Sequence, residues 1–331
     1  MATSFGSTFA HKMGRSAFAD GAYEAPSVVD TGPLSLSPAA HALHYGSACF
    51  EGLKAHRGSD GVVRIFRLEA HVQRMRRSAE MLYLPVPEEM MLAGLITDVV
   101  ASNLDEVPDA PGALYLRPVL IGTEPNIGAA ARPSETALLY VLASPVGDYF
   151  DSSRTLTVAV ETELPRTTPQ FGQIKTGANY AMALGVTRQA AEEHGADQVL
   201  FAPDGEIQET GAANFLMIDS DTVVTRALDA SFLHGITRDS VLELARSKGL
   251  QVEERSLTVD ELAGKIDTAE AVLSGTAAVL APIGTLIIDG KPVQVRDGAV
   301  GPHTADLRES LLAIQRGEED DEWGWTTPVT G

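Results

Sequence analysis

Cysteine is almost missing from this chain: Cys49 is the only one, so no disulfide can close within one molecule and a reducing, cytoplasmic setting is expected. Long apolar runs are missing too. Nothing approaches the roughly 20 consecutive apolar residues of a membrane-spanning helix, and Met1 to Arg15 has no apolar core of the kind a secretory leader carries. Positive charge is scarce, with 25 Lys and Arg against 45 Asp and Glu, for a net charge of −20. Such a surface repels phosphate backbones and anionic headgroups, so neither nucleic acid nor membrane is an expected partner. An anionic ligand must therefore be gripped locally, by Arg side chains or backbone N–H groups. Phosphate-binding loops of the Walker type, dinucleotide fingerprints and a Gly-x-Ser-x-Gly elbow are all absent. His41 and His44 stand three apart with no third ligand nearby, so no metal site is expected.

What is present is ordinary globular material: 331 residues, 44% of them hydrophobic, enough for two cores. A short strand is predicted at 62–66 after the Gly58-Ser59-Asp60-Gly61 turn. Leu68, Val72, Met75, Ala79 and Leu82 recur at helical spacing, and 88–104 forms a second helix candidate. Strands are expected at 113–118 and 136–143, then a polar, turn-rich stretch over 144–154. Beyond it come a strand at 156–160, helices near 180–194, 237–249 and 302–316, and strands near 197–202, 213–218, 250–257 and 270–274. The expected architecture is α+β in two domains, 1–146 and 155–331, joined by a loop at 147–154, with ligands in the cleft between them. The acidic run 317–322 reads as surface, and Trp323 and Trp325 after it are expected to pack back on the body.

Lysine is the rarest charged residue. There are six, and five lie in segments that read as surface. The sixth, Lys175, sits in Gln173-Ile174-Lys175-Thr176-Gly177-Ala178-Asn179-Tyr180, at the junction of a strand-like and a helix-like run. A lysine held at such a junction suits Schiff-base chemistry. Glu209 follows the Asp204-Gly205 hairpin signal and is expected on a strand, sharing a face with Ile207. A carboxylate placed so could keep the ring nitrogen of a pyridoxal phosphate protonated. Two segments could bind the phosphate: Gly235-Ile236-Thr237-Arg238 before the helix near 237–249, and Ser274-Gly275-Thr276-Ala277 after a strand. Arg74, off the apolar stripe of its helix, could add a charged donor.

Together these segments resemble the branched-chain amino acid aminotransferases, long-form members of the fold-type IV class of pyridoxal-phosphate enzymes. The resemblance runs through Leu43-His44-Tyr45-Gly46, Phe50-Glu51-Gly52-Leu53-Lys54-Ala55, Leu114-Tyr115-Leu116-Arg117-Pro118, Gly122-Thr123-Glu124-Pro125, Ser144-Pro145-Val146-Gly147, Lys175-Thr176-Gly177 and the two phosphate segments. It implies that Lys175 forms the internal aldimine and moves the proton at the substrate Cα. It further implies that Glu209 pairs with the pyridine nitrogen, that Tyr180 donates to the phenolic oxygen, and that Arg74, Ile236, Thr237 and Thr276 hold the phosphate. Phe50, Tyr45, Tyr115, Arg117, Tyr149 and Ala277 are implied on the substrate side, in a homodimer acting on an aliphatic L-amino acid and 2-oxoglutarate.

The chain departs from the family at several points. Ala178 replaces a second glycine, Ala213 stands where methionine is common, and Thr225-Arg226-Ala227 replaces a Thr-Pro-Pro. His56 occupies a position usually aromatic, His234 precedes Gly235, and Ala278 and Ala281 replace the cysteine pair of some animal members. Those in the pocket bear on substrate choice, so a same-fold enzyme for a non-standard amino acid is the alternative expectation.

Overall fold

The computed structural model describes residues 5–147 and 154–330. They group into two compact units, each with its own sheet and core. The first combines 5–147 with Ile174–Gly177 and 313–330; the second holds 154–173 and 178–312. The loop expected at 147–154 lies almost wholly outside the described residues, as does Tyr149.

The first unit opens with strands β1 (Lys12–Ala19), β2 (Ala22–Tyr23) and β3 (Ser27–Asp30), then a short helix α1 (His41–Tyr45). Strands β4 (Ala48–Phe50), β5 (Leu53–Arg57) and β6 (Val63–Phe66) follow, then helices α2 (Leu68–Met81) and α3 (Glu89–Ala101), and long strands β7 (Ala113–Gly122) and β8 (Ala137–Val146). The pairings are antiparallel, with β7 and β8 in unbroken register from Ala113↔Val146 to Gly122↔Ala137.

The helical spacing predicted over 68–82 is realised in α2, which buries Leu68, Val72, Met75 and Ala79. On α3, Leu92, Leu95, Ile96, Val99 and Val100 are buried, each contributing roughly 1.5–3 kcal/mol. The helix ends at Ala101, short of the expected 104, where the chain turns into a 3₁₀ segment at Leu104–Glu106. It comes so close to β1 that a Cβ at Gly14 would lie 2.6 Å from Leu95 Cδ1.

On β5, His56 is buried, and its Nε2 has no hydrogen-bond partner. Burial, and then the charges of Lys54 and Arg316, push its imidazole down to about 3. The native state therefore keeps His56 neutral while the unfolded chain protonates it below about 6.5. Stability contributed by this residue falls as pH drops from about 6.5 towards 3, by at most about 1.4 kcal/mol per pH unit. His56→Phe is expected to flatten the loss of melting temperature between about pH 6 and pH 4. Melting curves as pH-sensitive as those of the parent would refute this.

The second unit contains β9 (Leu156–Glu161), α4 (Gly177–His194), β10 (Gln198–Phe201), β11 (Asn214–Asp219), β12 (Thr222–Thr225) and α5 (Ile236–Ser247). After these come β13 (Gln251–Glu254), α6 (Val259–Gly264), β14 (Glu270–Gly275), β15 (Val279–Ile288), β16 (Lys291–Gln294) and α7 (Pro302–Arg316), whose end from 313 belongs to the first unit. The sheet is mixed, in the order β10-β9-β15-β14-β11-β12-β13, with β16 on β15. Its central strand β15 carries Pro282 and Gly284, which hide it from a sequence reading. The structure accommodates them with a register shift between Ile283 and Thr285, and a Cβ at Gly284 would overlap the Thr155 hydroxyl.

A last strand, β17 (Thr326–Val329), pairs antiparallel with β6. Sequence order alone put this segment in a C-terminal domain; the structure adds it to the first sheet, where it covers the backbone edge of β6. The Trp323 and Trp325 rings stack 4.3 Å apart, Trp325 is buried, and the Arg67 guanidinium lies 5.2 Å from the Trp325 ring.

Candidate active site

In the first unit, Lys175 is fixed by its main chain. Its N–H donates to Ser78 Oγ at 3.1 Å, and its carbonyl accepts the Phe50 N–H at 3.0 Å. Lys175 is partly buried as a residue, with Nζ 5.1 Å from the Phe50 ring centre. The same ring carries the Arg117 guanidinium at 4.5 Å, and Arg117 Nη2 donates to the Tyr115 hydroxyl at 2.7 Å. Lys175, Phe50, Tyr115 and Arg117 are thus one group, resting on adjoining strands β4 and β7. Tyr115 is held against the turn after β4, where a Cβ at Gly52 would overlap its hydroxyl. Beside Lys175, the buried Thr176 hydroxyl has no hydrogen-bond partner. Tyr45, at the end of α1, donates instead to the Ile127 carbonyl and is more than a third exposed.

Behind this group lies a buried ionic cluster. Glu51 accepts from Arg74 Nε at 2.7 Å, from Arg74 Nη2 at 2.9 Å and from His71 Nδ1 at 2.7 Å. Burial alone would raise the Glu51 carboxyl. The charges and hydrogen bonds of Arg74 and His71 outweigh it and hold the carboxyl far below the usual carboxylate range. Burial pushes the His71 imidazole down, against the upward pull of Glu51. Arg74 lies off the apolar stripe, as expected, but it is buried rather than solvated.

In the second unit Glu209 is buried, but it lies in no strand; an isolated bridge pairs it with Asn214. The strand expected there is replaced by a 3₁₀ turn at Pro203–Gly205 with short pairings around it: Gln208 N–H reaches the Phe201 carbonyl at 2.9 Å and Phe201 N–H the Glu209 carbonyl at 3.0 Å. The Glu209 carboxylate accepts from Arg166 Nη1 in a fully buried ion pair, from the Leu233 N–H at 3.0 Å and from Asn214 Nδ2 at 3.2 Å. Asn214 Nδ2 also donates to the Leu233 carbonyl at 2.9 Å. Arg166 in addition lies 5.6 Å from the Tyr180 ring, near the start of α4. Neither Arg166 nor Asn214 was singled out from the sequence. The only cue to Arg166 is a polar stretch bracketed by Pro165 and Pro169.

Leu233 leads into α5, whose N-cap Gly235 provides no side-chain cap, so the first-turn N–H groups at Ile236 and Thr237 are not capped by a side chain. Gly235 is required there, because a Cβ would overlap Asn214 Oδ1. The other phosphate segment runs off the end of β14: Ser274 is buried with no partner for its hydroxyl, and Thr276 and Ala277 form the turn before β15. Facing Gly275, the 210–213 turn closes through Ala213 N–H to Thr210 Oγ1 at 2.9 Å, and the Ala213 Cβ comes 3.6 Å from a Cβ built on Gly275. Arg226, one of the departures, is bound by Asp229 at 3.1 Å and Glu206 at 3.3 Å. His41 is engaged by Ser47 Oγ at 2.8 Å and His44 by the Pro38 carbonyl at 2.8 Å. No group of three or more His, Cys, Asp or Glu that could hold a metal occurs among the described residues. In this unit an uncapped helix start, an orphaned hydroxyl at Ser274 and a buried anion with three donors fit a planar, phosphorylated ring cofactor with a protonated ring nitrogen.

Comparison with known proteins gives a consistent picture. The family described as amino-transferase class IV matches residues 48–286. The chain is 39% identical to branched-chain-amino-acid aminotransferase 2 of Bacillus subtilis, over 98% of this chain and 92% of that one. It is 40% identical to the branched-chain-amino-acid aminotransferase of Mycolicibacterium smegmatis, over 90% and 84% respectively. Among solved structures, the T.th. branched-chain amino acid aminotransferase with pyridoxamine 5'-phosphate superposes with a TM-score of 0.82 at 26% identity, covering 98% of this chain and all of the other. The Thermoproteus uzoniensis enzyme with norvaline gives 0.78 at 27% identity, covering 95% and 99%.

Proposed function

Because the chain belongs to the class IV aminotransferases, we propose that it is a pyridoxal-phosphate-dependent transaminase exchanging the amino group of a branched-chain L-amino acid with 2-oxoglutarate. The observation that carries this reading is Lys175, held through its main chain by Ser78 and Phe50 with its amine over a ring shared with Arg117. Pyridoxal phosphate, when bound, supplies an aldehyde that condenses with amines and a pyridinium ring that draws electrons from the substrate Cα. Lys175 provides the amine and moves the Cα proton. Glu209, with its three donors, holds the proton on the ring nitrogen, and Tyr180 donates to the phenolic oxygen. Arg74, the Ile236 and Thr237 N–H groups and Thr276 take the phosphate. Phe50, Tyr45, Tyr115, Tyr149 and Ala277 shape the substrate side, and Arg117 supplies positive charge for a carboxylate. Discrimination between aliphatic side chains amounts to about 1–3 kcal/mol per methylene-sized difference.

A cytoplasmic homodimer is part of the same reading. Leu43, Ile127, Leu164, Met182 and Leu184, each at least half exposed, are the apolar side chains such an association would cover. A second reading, a non-standard amino acid as donor, is favoured by the small Ala213 that packs beside Gly275 where methionine is common in the family.

The test is the absorbance spectrum of the purified protein. The visible band of the bound cofactor is expected to collapse with L-leucine, to ignore D-alanine and to return with 2-oxoglutarate. A band that ignores L-leucine would move the assignment to the second reading, and no band after adding pyridoxal phosphate would remove both. Light scattering on the same sample is expected to give about twice the mass of a protomer, and a monomer would refute the dimer.

A further inference from the structure

The cluster beneath Lys175 is larger than the proposed chemistry requires. Three residues of α2, His71, Arg74 and Ser78, stand at i, i+3 and i+7 on one face, and all three are buried. Two of them bind the Glu51 carboxylate and the third binds the Lys175 N–H. Glu51 lies in the short segment that also carries Phe50 and Gly52. Phe50 N–H donates to the Lys175 carbonyl, Glu51 N–H to the Pro118 carbonyl at 2.8 Å, and Gly52 N–H to Glu51 Oε2 at 3.1 Å. Arg117 precedes Pro118, so the main chain at Glu51 is tied directly beside the guanidinium that shares the Phe50 ring.

We propose that Glu51 is a positioning residue that sets both ends of the site's positive charge. Its carboxylate fixes the direction of the Arg74 guanidinium, and its main chain fixes Phe50 and, through it, Lys175. The assignment rests on the reading in which Arg74 meets the cofactor phosphate. The physical reason is geometric. A guanidinium presents five N–H donors in a rigid fork. With Nε and Nη2 engaged by Glu51 at 2.7 and 2.9 Å, the plane of the fork is set before any anion arrives. His71, with Nδ1 on Glu51 Oε2, holds the carboxylate in turn. Full-charge pairing inside the protein also means that Arg74 need not be desolvated again when a phosphate binds. Arg74 is thus preorganised rather than recruited.

A purely structural ion pair joining α2 to the sheet would affect every ligand alike, whereas a positioning residue for Arg74 affects phosphate selectively. The test is equilibrium dialysis of the full-length protein against graded pyridoxal phosphate and, in parallel, against unphosphorylated pyridoxal. Glu51→Gln is expected to weaken pyridoxal phosphate by about tenfold or more, the scale of one charge-assisted hydrogen bond, while pyridoxal stays within about twofold. Glu51→Gln with unchanged affinity for both ligands overturns the proposal, and so does an equal loss for both. If Glu51→Gln does not fold, because the buried Arg74 cation has lost its carboxylate, Glu51→Asp carries the test. It keeps the charge but withdraws it from Arg74 by one methylene, and it is expected to reduce the phosphate preference by about threefold or more. A Glu51→Asp protein with the parent's preference overturns the proposal. A parent protein that binds neither ligand, or binds both equally, removes the cofactor reading itself, an outcome distinct from failure of the Glu51 assignment.

Discussion

Lys175→Ala is expected to lower kcat by roughly 10⁴-fold or more, because one side chain is both the bonding amine and the proton carrier, and the second role alone contributes about 10²–10⁴-fold. The protein should still fold. Ser78 and Phe50 hold this residue through its main chain, and alanine keeps both hydrogen bonds. What the side chain adds to stability over the Phe50 ring is a cation–π contact, of the order of 0.5–1 kcal/mol at a partly exposed position. The combination to look for is a near-native melting temperature with turnover lost. Full activity in Lys175→Ala would remove the mechanism. Loss of activity together with collapse of the fold would show that the ammonium has a structural weight that the geometry does not account for.

The second large effect is at Arg166. Its guanidinium and the Glu209 carboxylate are both 2% exposed, and they pair directly. Arg166→Met removes the cation and keeps the bulk, leaving Glu209 a buried anion to which the Leu233 N–H and Asn214 Nδ2 still donate. Breaking a buried pair from one side costs about 3–5 kcal/mol. The thermal midpoint should fall by many degrees. Affinity for pyridoxal should fall as well, because a buried carboxylate stripped of its cation takes up a proton more readily and then no longer holds the one on the ring nitrogen. Arg166→Lys should recover only part of both losses, since an ammonium cannot reproduce the fork that also reaches the Gly211 carbonyl at 3.2 Å. A stable Arg166→Met protein with unaltered cofactor affinity would show that the pair is dispensable.

Sequence patterning revealed some of this and hid the rest for definite reasons. The 3.6-residue spacing of Leu68, Val72, Met75 and Ala79 was enough to place α2, and the continuous apolar run ending at Ala143 placed most of β8. Lys175 stood out because lysine is rare here and because its neighbours signal an element junction. Nothing local distinguishes Arg166 from the other arginines: its burial comes from Glu209, forty-three residues away in sequence. Glu51 was hidden in the same way, since its partners lie twenty and twenty-three residues on. Glu209 itself was found but misplaced on a strand, because alternation is also produced by isolated bridges around a 3₁₀ turn. The partners of β15 are long-range, and its proline and glycine speak against a central strand until the bulge is seen.

The order of the first unit along the chain also has a consequence for how the protein is made. Its sheet needs β17, and its lysine segment, Ile174–Gly177, is emitted in the middle of the second unit's sequence. A ribosome releases residues from the N-terminus onward, and domains usually fold in that order. Here the first unit to emerge is completed after the second: β6 waits with an open edge until Thr326–Val329 leave the exit tunnel, whereas the second unit has all of its strands by Gln294. A nascent chain stalled before Thr326 would therefore present the synthetic machinery with a finished second sheet and an unfinished first one, and chaperone protection is most needed at the N-terminal end of the molecule.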